Sequence, residues 1–236
     1  MPESAYDGYK RLRFDHPHPR VLRVTLDNPG KKNSIDAIMH PEMVRVWHDI
    51  SRDDSVAAVI LTGAGDAFCA GGNFEMVDEM VSDHEVRMKN LREARDVVYN
   101  MINCTKPIIS AVRGPAVGGG LVCAILSGIC VVSKTAKLID GHTRLGLAAG
   151  DHAAIIWPLL CGMARAKYHL LLCTTLSGQE AADIGLVSLA VDDGVVQEKA
   201  LEIATQLAEG PPTAIRLTKY TKNHWLRMAG PIFDAS

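Results

Sequence analysis

A chain of 236 residues has room for one large domain, or one domain with a small appendage. Apolar residues make up 47% of it and aromatics 5%, so the core is aliphatic and alanine-rich. The net charge of −2 supplies no field for nucleic acid or an anionic membrane, and no apolar run reaches the roughly 18 residues of a spanning helix.

The first half alternates strand-like and helix-like segments. Val21 to Leu26 reads as a strand, broken by Asp27-Asn-Pro-Gly30. Ser34 or Asp36 can cap a helix to about Arg52, with Ile35, Met39, Met43, Val46 and Trp47 at helical spacing. Val56 to Leu61 is the next strand. A charged helix spans about 83–103, with Met88, Leu91, Val98 and Met101 on one side and Arg95 beside them, its stem along the apolar side and its head in solvent. Strand 107–112, helix 118–127 and strand 129–132 follow. Such alternation predicts a parallel sheet with right-handed crossovers. From Asp151 the pattern is helical: 152–161, which Pro158 should kink or end, then 164–173, 177–184, 195–208 and 213–228. Ser177-Gly-Gln-Glu180 has capping-box spacing. The expected organisation is a βαβ core over residues 1–175 and a helical region over 176–236.

The motif that carries chemistry is Gly114-Pro-Ala-Val-Gly-Gly-Gly120, between an apolar strand and an apolar helix. Consecutive glycines let bare backbone N–H groups approach a ligand, and the helix N-terminus adds partial positive charge. A second glycine turn, Phe68-Cys-Ala-Gly-Gly-Asn73, also follows a strand-like run. Two such turns can each supply an amide to a carbonyl oxygen that becomes negative during reaction. No G-x-G-x-x-G opens a helix, and there is no P-loop and no G-x-S-x-G elbow. The cysteines form no Cys-x-x-Cys pair, and Cys123, Cys130, Cys161 and Cys173 lie in apolar runs as reduced, buried thiols. No metal site is expected. The N-terminus has no basic-then-apolar signal pattern, so a cytoplasmic protein is expected.

These motifs, in order, resemble the crotonase (enoyl-CoA hydratase/isomerase) superfamily: Val24 to Pro29 with Lys32-Asn33, Phe68 to Asn73, Lys106-Pro107 into Gly114 to Gly120, and Gln179 to Val187. The resemblance implies an α/β spiral of βαβ turns with a helical C-terminal trimerisation region. It also implies an acyl-CoA thioester substrate with no tightly bound cofactor, coenzyme A being part of the substrate, and a homotrimer or hexamer. The oxyanion-hole amides fall on Gly72 and Gly119. Lys32, Asn33, Ala70, Gly71, Asn73 and Gly118 fall on CoA- and substrate-binding positions; Lys31 and Lys32 read equally well as a solvated pair. The chain stops at Ser236, where the family adds a final helix.

The pattern departs from hydratases at the two glutamates that position water. Val122 stands at the first position and His142 at the second. Asp151, nine residues on, matches the working aspartate of other members, and Asp140 to Pro158 looks closest to 6-oxocamphor hydrolase, which cleaves a C–C bond between two carbonyls. A His142–Asp151 acid/base pair is therefore the expectation, with an N-cap as the alternative role for Asp151 and a backbone-bonded loop role for His142. Asp140 is expected as a turn residue, and His152 and His169 as structural. The reaction is hydration or isomerisation of an unsaturated acyl-CoA, or hydrolytic C–C cleavage of a β-dicarbonyl. A catalytically quiet CoA-binding scaffold is the reading from another class.

Overall fold

The computed structural model describes residues 6–150 and 152–234. In chain order the elements are β1 (Leu12–His18), β2 (Val21–Leu26), α1 (Met39–Arg52), β3 (Ala58–Gly63), α2 (Phe74–Ser82), α3 (His84–Asn103) and β4 (Ile108–Val112). Then come β5 (Pro115–Val117), α4 (Gly119–Leu126), β6 (Gly128–Ser133), β7 (Lys137–Ile139), α5 (His152–Cys161), α6 (Met163–Leu172), β8 (Leu176–Ser177) and α7 (Gly178–Asp183). The chain closes with β9 (Leu189–Val191), α8 (Val196–Glu209), α9 (Pro212–Lys222), α10 (His224–Met228) and α11 (Gly230–Asp234).

Strands β1-β2-β3-β4-β6-β9 form one sheet, parallel except for the β1–β2 pair, and β5-β7-β8 form a second. The expected parallel sheet is therefore present, with an antiparallel β1–β2 hairpin at its edge in addition. Both faces of the large sheet are covered, which is why its central strands β3, β4 and β6 are mainly apolar. Val59 and Leu61 join the core containing α1, α3 and α4, while Ala58 and Ile60 face α8. Alpha-8 meets them with Val196, Ala200, Ala204 and Ala208, a four-residue repeat whose small side chains let the helix lie close to the strands. Beta-8 and β9 both arise after residue 175, so the expected boundary there runs through both sheets.

Local signals are legible. Asp36 Oδ1 accepts from the backbone N–H groups of Ile38 and Met39 at 3.1 and 2.8 Å, starting α1 later than its apolar spacing implied. Asp83 caps α3, and Ser177 and Glu180 complete the capping box of α7. Alpha-5 covers the expected span His152–Cys161, with Pro158 inside it. Two expectations need correction. The single helix expected over 213–228 is divided at Asn223, whose side-chain amide donates to Ile102 O at 2.8 Å. On α3 the buried apolar residues all lie in the second half, Val97, Val98, Met101 and Ile102, while Met88 and Leu91 are exposed. Arg95 does extend to solvent, and all six cysteines are buried free thiols. No helix among the described residues is long and apolar enough to cross a membrane.

One buried pair ties α1 to α3. His40 Nδ1 lies 2.8 Å from Glu93 Oε2, both side chains mostly covered. Burial holds the imidazole below its ordinary range despite the attraction of Glu93. The unfolded chain therefore binds a proton at His40 more readily than the native one, so this site's contribution is intact above about pH 6.5 and is lost as pH falls below it. Urea unfolding at pH 7.5 and 5.5 should show a smaller acid-dependent loss in His40→Gln than in the parent, by up to about 1.4 kcal/mol per pH unit. Identical slopes would remove His40 from the account.

Candidate active site

The two glycine turns lie side by side, and Ile35 sits where they meet. Ile35 N donates to Gly71 O at 2.8 Å and Asn73 N donates to Ile35 O at 2.9 Å, forming an isolated parallel bridge between Ile35 and Gly72. Because the peptide groups on either side of Gly72 face Ile35, the N–H of Gly72 itself points to the opposite, exposed side. A second bridge joins Cys69 to Ala116, one turn to the other. Their approach is close enough to demand glycine: a Cβ on Gly120 would lie 2.5 Å from Cys69 Cβ, and one on Gly71 would lie 2.9 Å from Val117 O. Gly118 takes φ +47° and gives its N–H to Ile139 O at 3.0 Å. Val122 N bonds Gly118 O at 3.0 Å, so α4 starts with the amide of Gly119 as a first-turn donor. A Cβ on Gly119 would lie 2.8 Å from Ile35 Cδ1, which places Gly119 against the residue that also bridges Gly72.

The third component follows β7. Ile139, whose carbonyl holds Gly118, is followed by Asp140, Gly141 and His142, the last opening a short 3₁₀ turn to Leu145. His142 Nδ1 is 2.7 Å from Asp140 Oδ1, and His142 N donates to the same oxygen at 3.2 Å. The Asp140 side chain is 2% exposed and that of His142 21%. Asp140 does serve the turn, through the His142 N–H, and is in addition buried against the imidazole. The sequence signal was there: Asp-x-His just after a strand lets the carboxylate reach back to the ring. Asp151, the expected partner of His142, lies outside the described residues. His152, fully buried, places its ring centroid 6.3 Å from that of His142. His169 is hydrogen bonded to Thr174 Oγ1 at 2.6 Å, in line with a structural role.

The remaining predicted residues divide into scaffold and surface. Asn33 is 3% exposed, with φ +55°, and its Nδ2 donates to Ala64 O and Ala67 O at 2.8 Å each while its Oδ1 accepts from Asn28 N. Its side chain thus holds the loop before the first glycine turn. Lys32 does so through its backbone, its carbonyl accepting from Ala70 N at 3.0 Å. The side chains of Lys31 and Lys32 are exposed, and among the described residues neither ammonium has an ion-pair partner. Asn73 caps α2, accepting from Glu75 N at 2.6 Å. Val122, at the position of the first hydratase glutamate, is 6% exposed and has no proton to give. Cys69 sits in the turn itself, but burial pushes its thiol up to about 12, so it stays protonated and is no nucleophile near neutral pH.

A parallel sheet covered on both faces, with paired glycine turns and an Asp140–His142 couple beside them, defines an α/β fold with a glycine-lined candidate site. The enoyl-CoA hydratase/isomerase family model matches residues 18–232, and the chain belongs to that family, within the crotonase superfamily. Similar proteins include 1,2-epoxyphenylacetyl-CoA isomerase of Escherichia coli, 31% identical over 89% of this chain and 81% of the relative. Another is 4-chlorobenzoyl coenzyme A dehalogenase-2 of Arthrobacter sp., 31% identical over 81% and 70%. Among solved structures, an enoyl-CoA hydratase/isomerase from Mycobacterium paratuberculosis superposes with a TM-score of 0.90 at 33% identity, covering 98% of this chain and 92% of that one.

Proposed function

We propose that this protein acts on an acyl-CoA thioester, with the amides of Gly72 and Gly119 stabilising an enolate oxygen and His142, with Asp151, exchanging the proton. The observation that carries the reading is the placement of Gly72 and Gly119 both against Ile35, the N–H of Gly72 directed away from the bridge and that of Gly119 in the first turn of α4. The family membership supports a thioester substrate. Exposed Lys31 and Lys32 suit the phosphates of CoA, and exposed Phe74, Leu145 and Leu147 suit an acyl chain. The apolar residues exposed along α5 and α6, Leu159, Met163, Leu171 and Leu172, suit packing of subunits in a trimer or hexamer.

Two reactions fit this machinery. One is hydration or isomerisation of an unsaturated acyl-CoA. The second is hydrolytic C–C cleavage of a β-dicarbonyl, which buried Val122 favours because it removes one carboxylate of the hydratase pair. In that reaction His142 takes a proton from water, the oxygen adds to the ketone, and the C–C bond breaks with its electrons passing to the thioester enolate. Protonation of that enolate completes the balance, acetoacetyl-CoA plus water giving acetate plus acetyl-CoA.

Assays with crotonyl-CoA and acetoacetyl-CoA separate the two. Gly119→Pro removes the proposed amide donor at a helix position that accepts proline, and is expected to lower kcat about 10²- to 10³-fold. Gly119→Ala keeps the amide and displaces only the tip of Ile35, so it should retain most of the rate. Equal rates in the two variants would refute the oxyanion assignment, and no turnover of either thioester with CoA still bound would favour the quiet scaffold.

A further inference from the structure

Asp140 is a costly choice for a turn. Its carboxylate is 2% exposed, and Oδ2 is buried without a hydrogen-bond partner among the described residues. A neutral asparagine or serine would accept from His142 N as well, without burying a charge. The residue is also held rigidly. Its backbone carbonyl accepts from Cys173 Sγ at 2.7 Å, and the preceding Ile139 carbonyl is bonded to Gly118 N. What the carboxylate meets is the imidazole, with His142 Nδ1 2.7 Å from Oδ1. An ionised carboxylate has no proton to donate, so the short contact requires the hydrogen to sit on Nδ1.

We propose that Asp140 is the positioning residue that fixes His142 in its Nδ1–H tautomer, leaving Nε2 as the nitrogen that exchanges protons with water or substrate. The inference rests on the reading of His142 as the acid/base group. It assigns orientation of the ring to a carboxylate two residues away, at the end of β7. Through Ile139 and Gly118 the same backbone carries the Gly119 donor, so ring and oxyanion amide are set by one rigid segment. Neighbouring ionisable groups among the described residues include His152 on α5, Arg144 on the same 3₁₀ turn, whose guanidinium donates to Cys173 O, and the Cys173 thiol.

The test is the ring ¹⁵N spectrum of His142 in the full-length protein at pH 8, assigned by the signals lost in His142→Ala. The wild type should show a neutral ring protonated at Nδ1. Asp140→Leu, which removes the acceptor at similar volume, should revert to the Nε2–H form that a free histidine prefers. Its turnover of whichever of crotonyl-CoA or acetoacetyl-CoA the wild type uses should fall about 10²-fold. An Nε2–H ring in the wild type, or an unchanged tautomer in a folded Asp140→Leu, would overturn the proposal. Should the variant fail to fold, the wild-type spectrum still decides. Full turnover in His142→Ala would defeat the catalytic reading of His142 separately, since the tautomer is read without any substrate.

Discussion

Replacing His142 by alanine is expected to lower kcat by as much as about 10⁴-fold, close to 5 kcal/mol of transition-state stabilisation, while leaving CoA affinity nearly unchanged. The magnitude follows from the lack of a second exposed proton-transfer group at these positions among the described residues. Val122 cannot transfer a proton, the Cys69 thiol is held protonated, and His152 is wholly buried on α5. Exposed Lys31 and Lys32, the side chains suited to the nucleotide, are far along the chain from the imidazole, so binding and chemistry should separate. Steady-state turnover of crotonyl-CoA and acetoacetyl-CoA, with CoA titrated by calorimetry, reads both. Loss of kcat with binding preserved supports proton transfer through His142. Parallel loss of both would point to collapse of the loop after β7, and an unchanged kcat would remove His142 from the chemistry.

Gly114→Ala is expected to cost more than about 4 kcal/mol of stability, a large share of what a domain of this kind possesses. The added Cβ would stand 1.9 Å from Asp66 O and 3.2 Å from Ala67 Cα, which are backbone atoms without a rotamer to escape into. Gly114 also adopts φ +64°, and the left-handed conformation alone costs an alanine about 1–2 kcal/mol. Gly65→Ala isolates that smaller term, because Gly65 has φ +72° with nothing within 4 Å of its Cβ position. Thermal and urea unfolding of the two variants should therefore differ by several kcal/mol. Similar losses would mean that the segment carrying Asp66 moves aside, and that the first glycine turn is less fixed than its hydrogen bonds indicate.

The contact at Gly114 also shows what kinds of feature a sequence reveals. Local features were visible because local chemistry makes them: the cap at Asp83, the capping box at Ser177 and Glu180, and the apolar runs of β3 and β4. The hairpin strand β1 was passed over because its burial is partial and its partner, β2, supplies the order. Alpha-2 was likewise missed, since it buries no residue and its ends are defined by Asn73 and Asp83 rather than by an apolar stripe. At Asn223 the side-chain amide meets the carbonyl of Ile102, more than a hundred residues away, a contact that no window of local spacing contains.

The sequence by itself determined the family, the parallel sheet and the two glycine turns, because glycine spacing and apolar runs are written along the chain. It also marked His142. Only the tertiary structure decided that Ile35 lies against both turns and that the Asn33 side chain holds the loop before residue 68. It decided too that Asp140 is the described carboxylate against the imidazole. Those outcomes depend on which backbone carbonyls and ring nitrogens meet once the strands are paired, and on how little water is left around them. Residue type alone states what a side chain can do, and burial with a partner settles what it does.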